Sequence, residues 1–389
     1  MANTGFDFAD LQFELGNYFN DQKQYHLAED YYLKVLTECR KRAEANPYPS
    51  RKSDVATTLN NVAVLHKNLT RYDEAENEYN EALKIRRELV ETNRDAYIGD
   101  VAQTLYNLGN LHSALTRYDE AEEEYKEALK ICRVLAETNR DAYIAYVVMA
   151  LNELAVLHYD HKRYDEAEKE YNEALKIRRE LAETNRDSYI GDVAQTLNNL
   201  AALHYNLTRY EEAENEYNEA LAIRRELAEA NRDSYIGDVA QTLNNLGNLH
   251  QTLKRYEEAE KEYNEALKNR RELAETNHDA YIADVATTLN NLAALHYKLT
   301  RYDEAEKEYK EALKIYRELA DTNREAYIGD VAMTLKNISI LQAAIDRKAE
   351  AKETAEEALG IYMDLAKAYP QIWGKDVEDT EQLLKNLSE

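Results

Sequence analysis

Along most of the chain, small and apolar side chains recur at intervals of three and four residues. From Asp192 the chain reads DVAQTLNNLAALHYNL, and Leu197, Leu200, Ala201 and His204 fall at i, i+3, i+4 and i+7. That stripe predicts an amphipathic helix with one buried face. After Thr208-Arg209-Tyr210, read as a turn, EEAENEYNEALAIRREL predicts a second helix carrying Ala213, Tyr217, Ala220 and Leu227 on one face. Asn231-Arg232-Asp233-Ser234 ends it before Asp238. Asp192, Asp238 and their counterparts Asp54, Asp100, Asp284 and Asp330 are expected to cap the first helices.

This two-helix unit repeats. Arg-Tyr occurs at 71–72, 117–118, 163–164, 209–210, 255–256 and 301–302, a spacing of 46 residues each time. Degenerate copies stand at Arg347-Lys348 and, one residue out of step, at Gln24-Tyr25. The chain therefore divides into eight units joined without a linker. Only 10 Gly and 3 Pro in 389 residues fit an all-α chain. The 31 Tyr against 4 Phe and 1 Trp reflect one motif copied many times.

The spacing Leu197-x-x-Leu200-Ala201-x-x-His204, then Ala213-x-x-x-Tyr217-x-x-Ala220, resembles the tetratricopeptide repeat over nearly the whole chain. Ala201, or Gly109 and Gly247 in other units, fills the small-residue position. The long period and the missing closing proline are similar to repeats of kinesin light chains and of bacterial repeat proteins. The extra residues are expected to lengthen the second helix and its connector. The resemblance implies a right-handed superhelical solenoid of about eight antiparallel hairpins, as a single domain over 1–389. Residues 1–53 form a diverged N-terminal capping repeat, rich in Phe6, Phe8 and Phe13. Residues 54–331 form six regular repeats. Residues 332–389 form a diverged last repeat and a C-terminal capping helix, Val377 to Leu387, with Trp373 as its anchor.

A formal charge of −26 opposes binding to nucleic acid or anionic membrane. The sequence shows no secretion signal and no membrane-length apolar run, and its two cysteines, Cys39 and Cys132, lie in different repeats. The expected compartment is the cytoplasm. In the second helices acids precede bases (Glu211 and Glu212 before Arg224 and Arg225), which complements the helix dipole on a solvated face.

Six histidines, His66, His112, His158, His204, His250 and His296, share one buried position and read as packing residues with a hydrogen bond to a neighbour. His158 with Asp160 and His161 has only loose metal-ligand spacing. No phosphate loop, nucleophile elbow or paired catalytic carboxylates can be found, so neither an enzyme nor a cofactor is expected.

The face of the first helix opposite its buried stripe is where a partner is expected. Counting Leu197 as position 4, position 6 holds Asn61, Asn107, Glu153, Asn199, Asn245, Asn291 and Asn337. Position 9 includes Asn110 and Asn248, and position 2 includes Gln103, Gln195 and Gln241, with Met149 and Met333. Carboxamides both donate and accept, which suits a peptide backbone. An equal physical use is bridging between adjacent first helices. The fourth unit departs from the rest: Tyr146 replaces the aspartate, and Glu153 and Asp160 are acidic. There a partner Lys or Arg is expected to pair, with Tyr146, Val147 and Met149 adding apolar contact. The functional expectation is a scaffold or adaptor for a protein or peptide ligand. The alternatives are a self-assembling structural module forming homo-oligomers and a sensor segment of a larger signalling or defence protein.

Overall fold

The structure, a computed structural model, describes residues 8–388. Phe6 and the side chain of Phe8 lie outside what it describes. Seventeen α-helices account for the described chain, which contains no strand. Their contacts divide it into two units, residues 1–186 and 187–389. The first contains α1 (Phe8–Asp21), α2 (Tyr25–Ala45), α3 (Pro49–Asn68), α4 (Tyr72–Thr92), α5 (Arg94–Ala114), α6 (Tyr118–Thr138), α7 (Arg140–Asp160) and α8 (Tyr164–Thr184). The second contains α9 (Arg186–Asn206), α10 (Tyr210–Ala230), α11 (Arg232–Thr252), α12 (Tyr256–Thr276), α13 (His278–Lys298), α14 (Tyr302–Thr322), α15 (Arg324–Ala344), α16 (Lys348–Ala368) and α17 (Pro370–Ser388). Within the first unit each helix packs on the next, as do α10 to α17 in the second. Ala201 of α9 shares a core with Ala213 and Tyr217 of α10.

The period divides differently from the sequence expectation. In a regular unit both helices have 21 residues. Three residues turn between them, and a single asparagine joins one unit to the next. Asn139 is at once the C-cap of α6, donating its backbone N–H to Leu135, and the N-cap of α7, its side chain accepting from Ala142 N–H. Asn93, Asn231, Asn277 and Asn323 cap in the same way. The aspartates Asp100, Asp238, Asp284 and Asp330 therefore are not caps. Each first helix starts about two turns earlier, because the Asn-Arg-Asp stretch starts a helix as well as ending one. The added length falls in both helices and not in a connector. The α2–α3 junction needs Asn46, Pro47 and Tyr48 and places Pro at the first helical position, which puts the Gln24-Tyr25 turn one residue out of step.

The hairpin turn is a paired C-cap. Thr70 donates to Lys67 O at 3.0 Å and Arg71 to His66 O at 2.8 Å, and the same pair recurs at each later hairpin. The first of the two donors is left-handed at each described hairpin, at φ 59° for Thr70, Thr208 and Thr300. A β-branched residue pays strain there that the two hydrogen bonds offset.

The core is the predicted stripe. Leu105, Leu108 and Leu111 of α5 meet Tyr125, Ala128 and Leu129 of α6, all at most 6% exposed. At the C-terminus α17 takes the place of a further first helix: Trp373 lies against Gly329 and the Tyr362 ring, 5.8 Å between centroids, and Thr380 is fully buried. α7 is, by length and composition, apolar enough to cross a bilayer, unlike the sequence expectation. Its residues Val147, Val148, Leu151 and Leu154 are buried in the same core as those of α5 and α6.

Candidate functional site

Several of the position-6 carboxamides are committed to asparagines of the preceding repeat. The position-5 asparagines Asn60, Asn198, Asn244 and Asn290 are buried. In the first unit Asn107 Nδ2 donates to Asn60 Oδ1 at 3.3 Å. In the second, Asn245 donates to Asn198 at 3.3 Å and Asn291 to Asn244 at 3.1 Å. Each bond links a first helix to the first helix of the preceding repeat. Gln195 donates to Asn199 Oδ1 at 3.0 Å along α9. Asn61 and Asn337 occupy the same partly buried position. An amide has two donors and a two-lone-pair acceptor, so one such bond leaves capacity for a ligand. Gln103, Met149, Gln241 and Met333 at position 2 are exposed.

Asn110 and Asn248 are held from below. Tyr125 donates its hydroxyl to Asn110 Oδ1, and Tyr263 to Asn248 Oδ1, both at 2.6 Å. The bond is possible because the preceding residue is glycine. A Cβ on Gly109 would stand 2.7 Å from the Tyr125 ring, and one on Gly247 would stand 2.6 Å from Tyr263. Gly16, Asn17 and Tyr32 form the same trio. Units with Ala at this position, such as Ala201-Ala202 and Ala293-Ala294, lack the asparagine as well. Gly and Asn are therefore one feature. Gly247→Ala should cost about 2 kcal/mol in chemical denaturation, and adding Asn248→Ala should recover part of it, because the double variant recreates the Ala-Ala unit.

In the fourth repeat Glu153 is partly buried. Burial pushes its carboxyl above the usual range, against opposing hydrogen bonds from Asn152 and Tyr106 and the charge of Lys67. Asp160, also raised by burial, is exposed at the end of α7. Tyr146 and Met149 are exposed, whereas Val147 is buried and cannot add the expected contact, because it points into the core stripe.

Sequence reasoning placed the histidines in the core but missed their partners. His250 Nδ1 meets Glu262 at 2.8 Å and its Nε2 meets Glu214 of the preceding repeat at 3.3 Å. Arg255 of the turn bridges to the same Glu214 at 2.7 Å. His66, His112, His158 and His296 repeat this arrangement with Glu29, Glu76, Glu122 and Glu260. The conspicuous Arg-Tyr turn is thus a clasp between repeats. The signal was available: an acid recurs 41 residues before each such arginine.

The second helices hold two kinds of arginine. Arg87, Arg133, Arg225, Arg271 and Arg317 are solvated and each pairs with a glutamate 40 residues on, at 2.5–2.8 Å. Arg224, expected on the same solvated face, is instead buried. Its Nη1 donates to Asp238 O at 3.0 Å and Thr242 Oγ1 at 2.6 Å, and its Nη2 to Gln195 Oε1 at 2.7 Å. It sits on the core side because the first helix of the next repeat begins early enough to cover it. Cys39 and Cys132 are buried, and burial pushes the Cys132 thiol up to about 11. Among the described residues no group of three or more His, Cys, Asp or Glu side chains is placed to hold a metal.

The model of the tetratricopeptide repeat matches residues 54–133, 100–180, 238–283 and 284–364, and a second model of that repeat matches 193–232. No curated protein sequence matches significantly. Among solved structures, BtubC (BKLC) from P. vanneervenii is 25% identical, with a TM-score of 0.51 over 64% of this chain and 92% of that one. A tetratricopeptide repeat protein from Parabacteroides merdae is 16% identical, with a TM-score of 0.50 over 86% of this chain and 99% of that one. A STAND protein with a tetratricopeptide repeat sensor from Pyrococcus horikoshii is 16% identical, with a TM-score of 0.52 over 92% of this chain and 49% of that one. At 16% identity the likeness concerns the fold.

Proposed function

Because this chain belongs to the tetratricopeptide repeat family, whose repeats generally serve as protein-interaction modules, we propose that it is a scaffold that holds a peptide segment of a partner protein against its first helices. The observation that carries this is a contrast between its two surfaces. On the second helices, the exposed arginines are spent on glutamates of the next repeat. On the first helices, positions 2, 6 and 9 present carboxamides, methionines and small apolar groups with few charges. Such a surface offers backbone-type hydrogen bonds beside apolar contact, as an extended or helical peptide requires. The ladder asparagines would keep the first helices in register, and the exposed position-2 side chains would meet the ligand.

The test is a charge graft on that face. Met149→Glu, Gln241→Glu and Met333→Glu change exposed groups and leave the inter-repeat bonds intact. Affinity capture from native lysate with mass spectrometry should show partners held by the wild type and lost by the triple variant, at unchanged circular dichroism. A partner set identical for both proteins would refute the first-helix face as the docking surface.

A further inference from the structure

Three of the repeat junctions insert a buried arginine from a second helix into the next first helix. Arg86 Nη1 donates to Asp100 O at 2.7 Å and Thr104 Oγ1 at 2.6 Å, and Arg270 does the same to Asp284 O and Thr288 Oγ1. Arg224 adds the carboxamide of Gln195. The seat consists of a helix carbonyl, a threonine hydroxyl and a glutamine oxygen. At the α6–α7 junction all the corresponding core groups change together. Cys132 stands for the arginine, Tyr146 for the aspartate and Ala150 for the threonine. The glutamine remains, as Gln103. The guanidinium is gone, and a cavity of about 310 Å³ opens between α5, α6 and α7. Cys132, Asp100, Gln103, Tyr143 and Tyr146 line it, and it is open to solvent on one side.

We propose that this cavity is a binding site for the side chain of an arginine carried by the partner segment. The guanidinium would occupy the place that Arg86, Arg224 and Arg270 fill in the sister junctions. There it meets Gln103 Oε1 and the Tyr146 carbonyl, the equivalents of two of the three acceptors used by Arg224. Asp100, one of the residues lining the cavity, supplies an opposite charge. Tyr143 and Tyr146, with ring centroids 6.5 Å apart, supply aromatic faces for a planar cation. Lysine fits worse, because its compact ammonium cannot reach separated acceptors in one plane. The cavity adjoins position 2 of α5, so an arginine entering it would come from a segment lying on the first-helix face. The inference rests on the proposed function only for what carries the arginine. A small probe tests the pocket without it.

The probe is N-acetyl-L-arginine amide, titrated into the full chain and followed by amide chemical shifts. Saturable shifts at Gly99, Gln103 and Tyr146 are expected, with a Kd of roughly 1–10 mM, in keeping with one small group. N-acetyl-L-citrulline amide, neutral and of the same shape, should bind about tenfold more weakly. Cys132→Arg with Tyr146→Asp and Ala150→Thr rebuilds the sister seat from within and should abolish the shifts while raising the melting temperature. Asp100→Asn keeps the cavity open and should weaken binding about fivefold, which serves if the triple variant does not fold. No saturation by wild type, equal binding of citrulline, or full binding retained by Asp100→Asn or by the folded rebuilt variant would each overturn the site. Any of those results leaves the first-helix docking surface standing, whereas failure of the charge graft leaves the pocket standing.

Discussion

Arg224→Ala should destabilise the second unit by about 4 kcal/mol, the largest loss expected from any single substitution considered. Three effects add. The carbonyl of Asp238, the hydroxyl of Thr242 and the carboxamide of Gln195 each lose a donor in a buried setting. A cavity replaces the largest of the fully buried side chains. The joint between two repeats also loses a side chain that ties α10 both to α9 and to α11. Burial lowers the Arg224 pKa, opposed by the charge of Asp238, yet it keeps the guanidinium's proton far above neutrality. Arg224→Met should cost about 2 kcal/mol, since it fills the space without making the bonds. Guanidinium titration of both variants, with hydrogen exchange at α10 and α11 to locate the weakening, measures this. Equal costs for the two variants would mean that volume matters and the hydrogen bonds do not.

The second large effect is expected at the histidines, and it depends on pH. His250 is 3% exposed and lies between Glu214 and Glu262, with Arg255 beside Glu214. Burial and the charge of Arg255 oppose its protonation, but the hydrogen bond and charge of Glu262 and the hydrogen bond to Glu214 outweigh them, so its pKa stands above the ordinary 6.5. His296 behaves alike between Glu260 and Glu308. A raised pKa means that the folded state binds the proton more tightly than the unfolded chain. That stability is fully present below pH 6.5 and is lost as pH rises through the folded value. On the acid side Glu214 and Glu260 are depressed despite burial, by hydrogen bonds from Arg255 and Arg301 and from the histidines. Their contribution is present above 4.5 and lost as pH falls. Stability of this region should therefore peak between about pH 5 and 6.5. His250→Leu should cost about 3 kcal/mol at pH 6 and visibly less at pH 8.5, because it strands two half-buried carboxylates mainly where the imidazolium was present. Denaturation midpoints across pH 4–9 test it, and a variant that runs parallel to the wild type would show that the ring acts by packing alone.

The repeat could be read from the sequence because its period is strict and its buried stripe obeys helical geometry. Leu197, Leu200, Ala201 and His204 are all buried as the spacing requires. The boundaries were harder, because one asparagine both ends a helix and starts the next, which a search for a connector overlooks. The aspartates look like caps only if the Asn-Arg-Asp stretch is taken for a loop. Which residues fall at position 6 was legible, and their commitment to other residues was not. Asn107, Asn245 and Asn291 do hold the same position on their own helices, but their hydrogen bonds run to residues 47 positions back. A helical wheel of one repeat cannot show a bond that exists only between two. The same holds for Arg224, which looks like any basic residue late in a helix until the next helix covers it.

From the second junction on, the described bonds between repeats keep one register: 36 and 41 residues for the histidine and turn arginine, 40 for the surface arginines, 47 for the asparagines. A duplication or deletion of 46 residues at the gene level leaves every one of these offsets intact. Such a chain can change length in whole hairpins by unequal recombination without designing a new interface. The Cys132–Tyr146–Ala150 junction is an exception. Its three changes complement only one another, so a crossover that separated them would set an arginine against a missing threonine. At that junction this modular inheritance would be penalised.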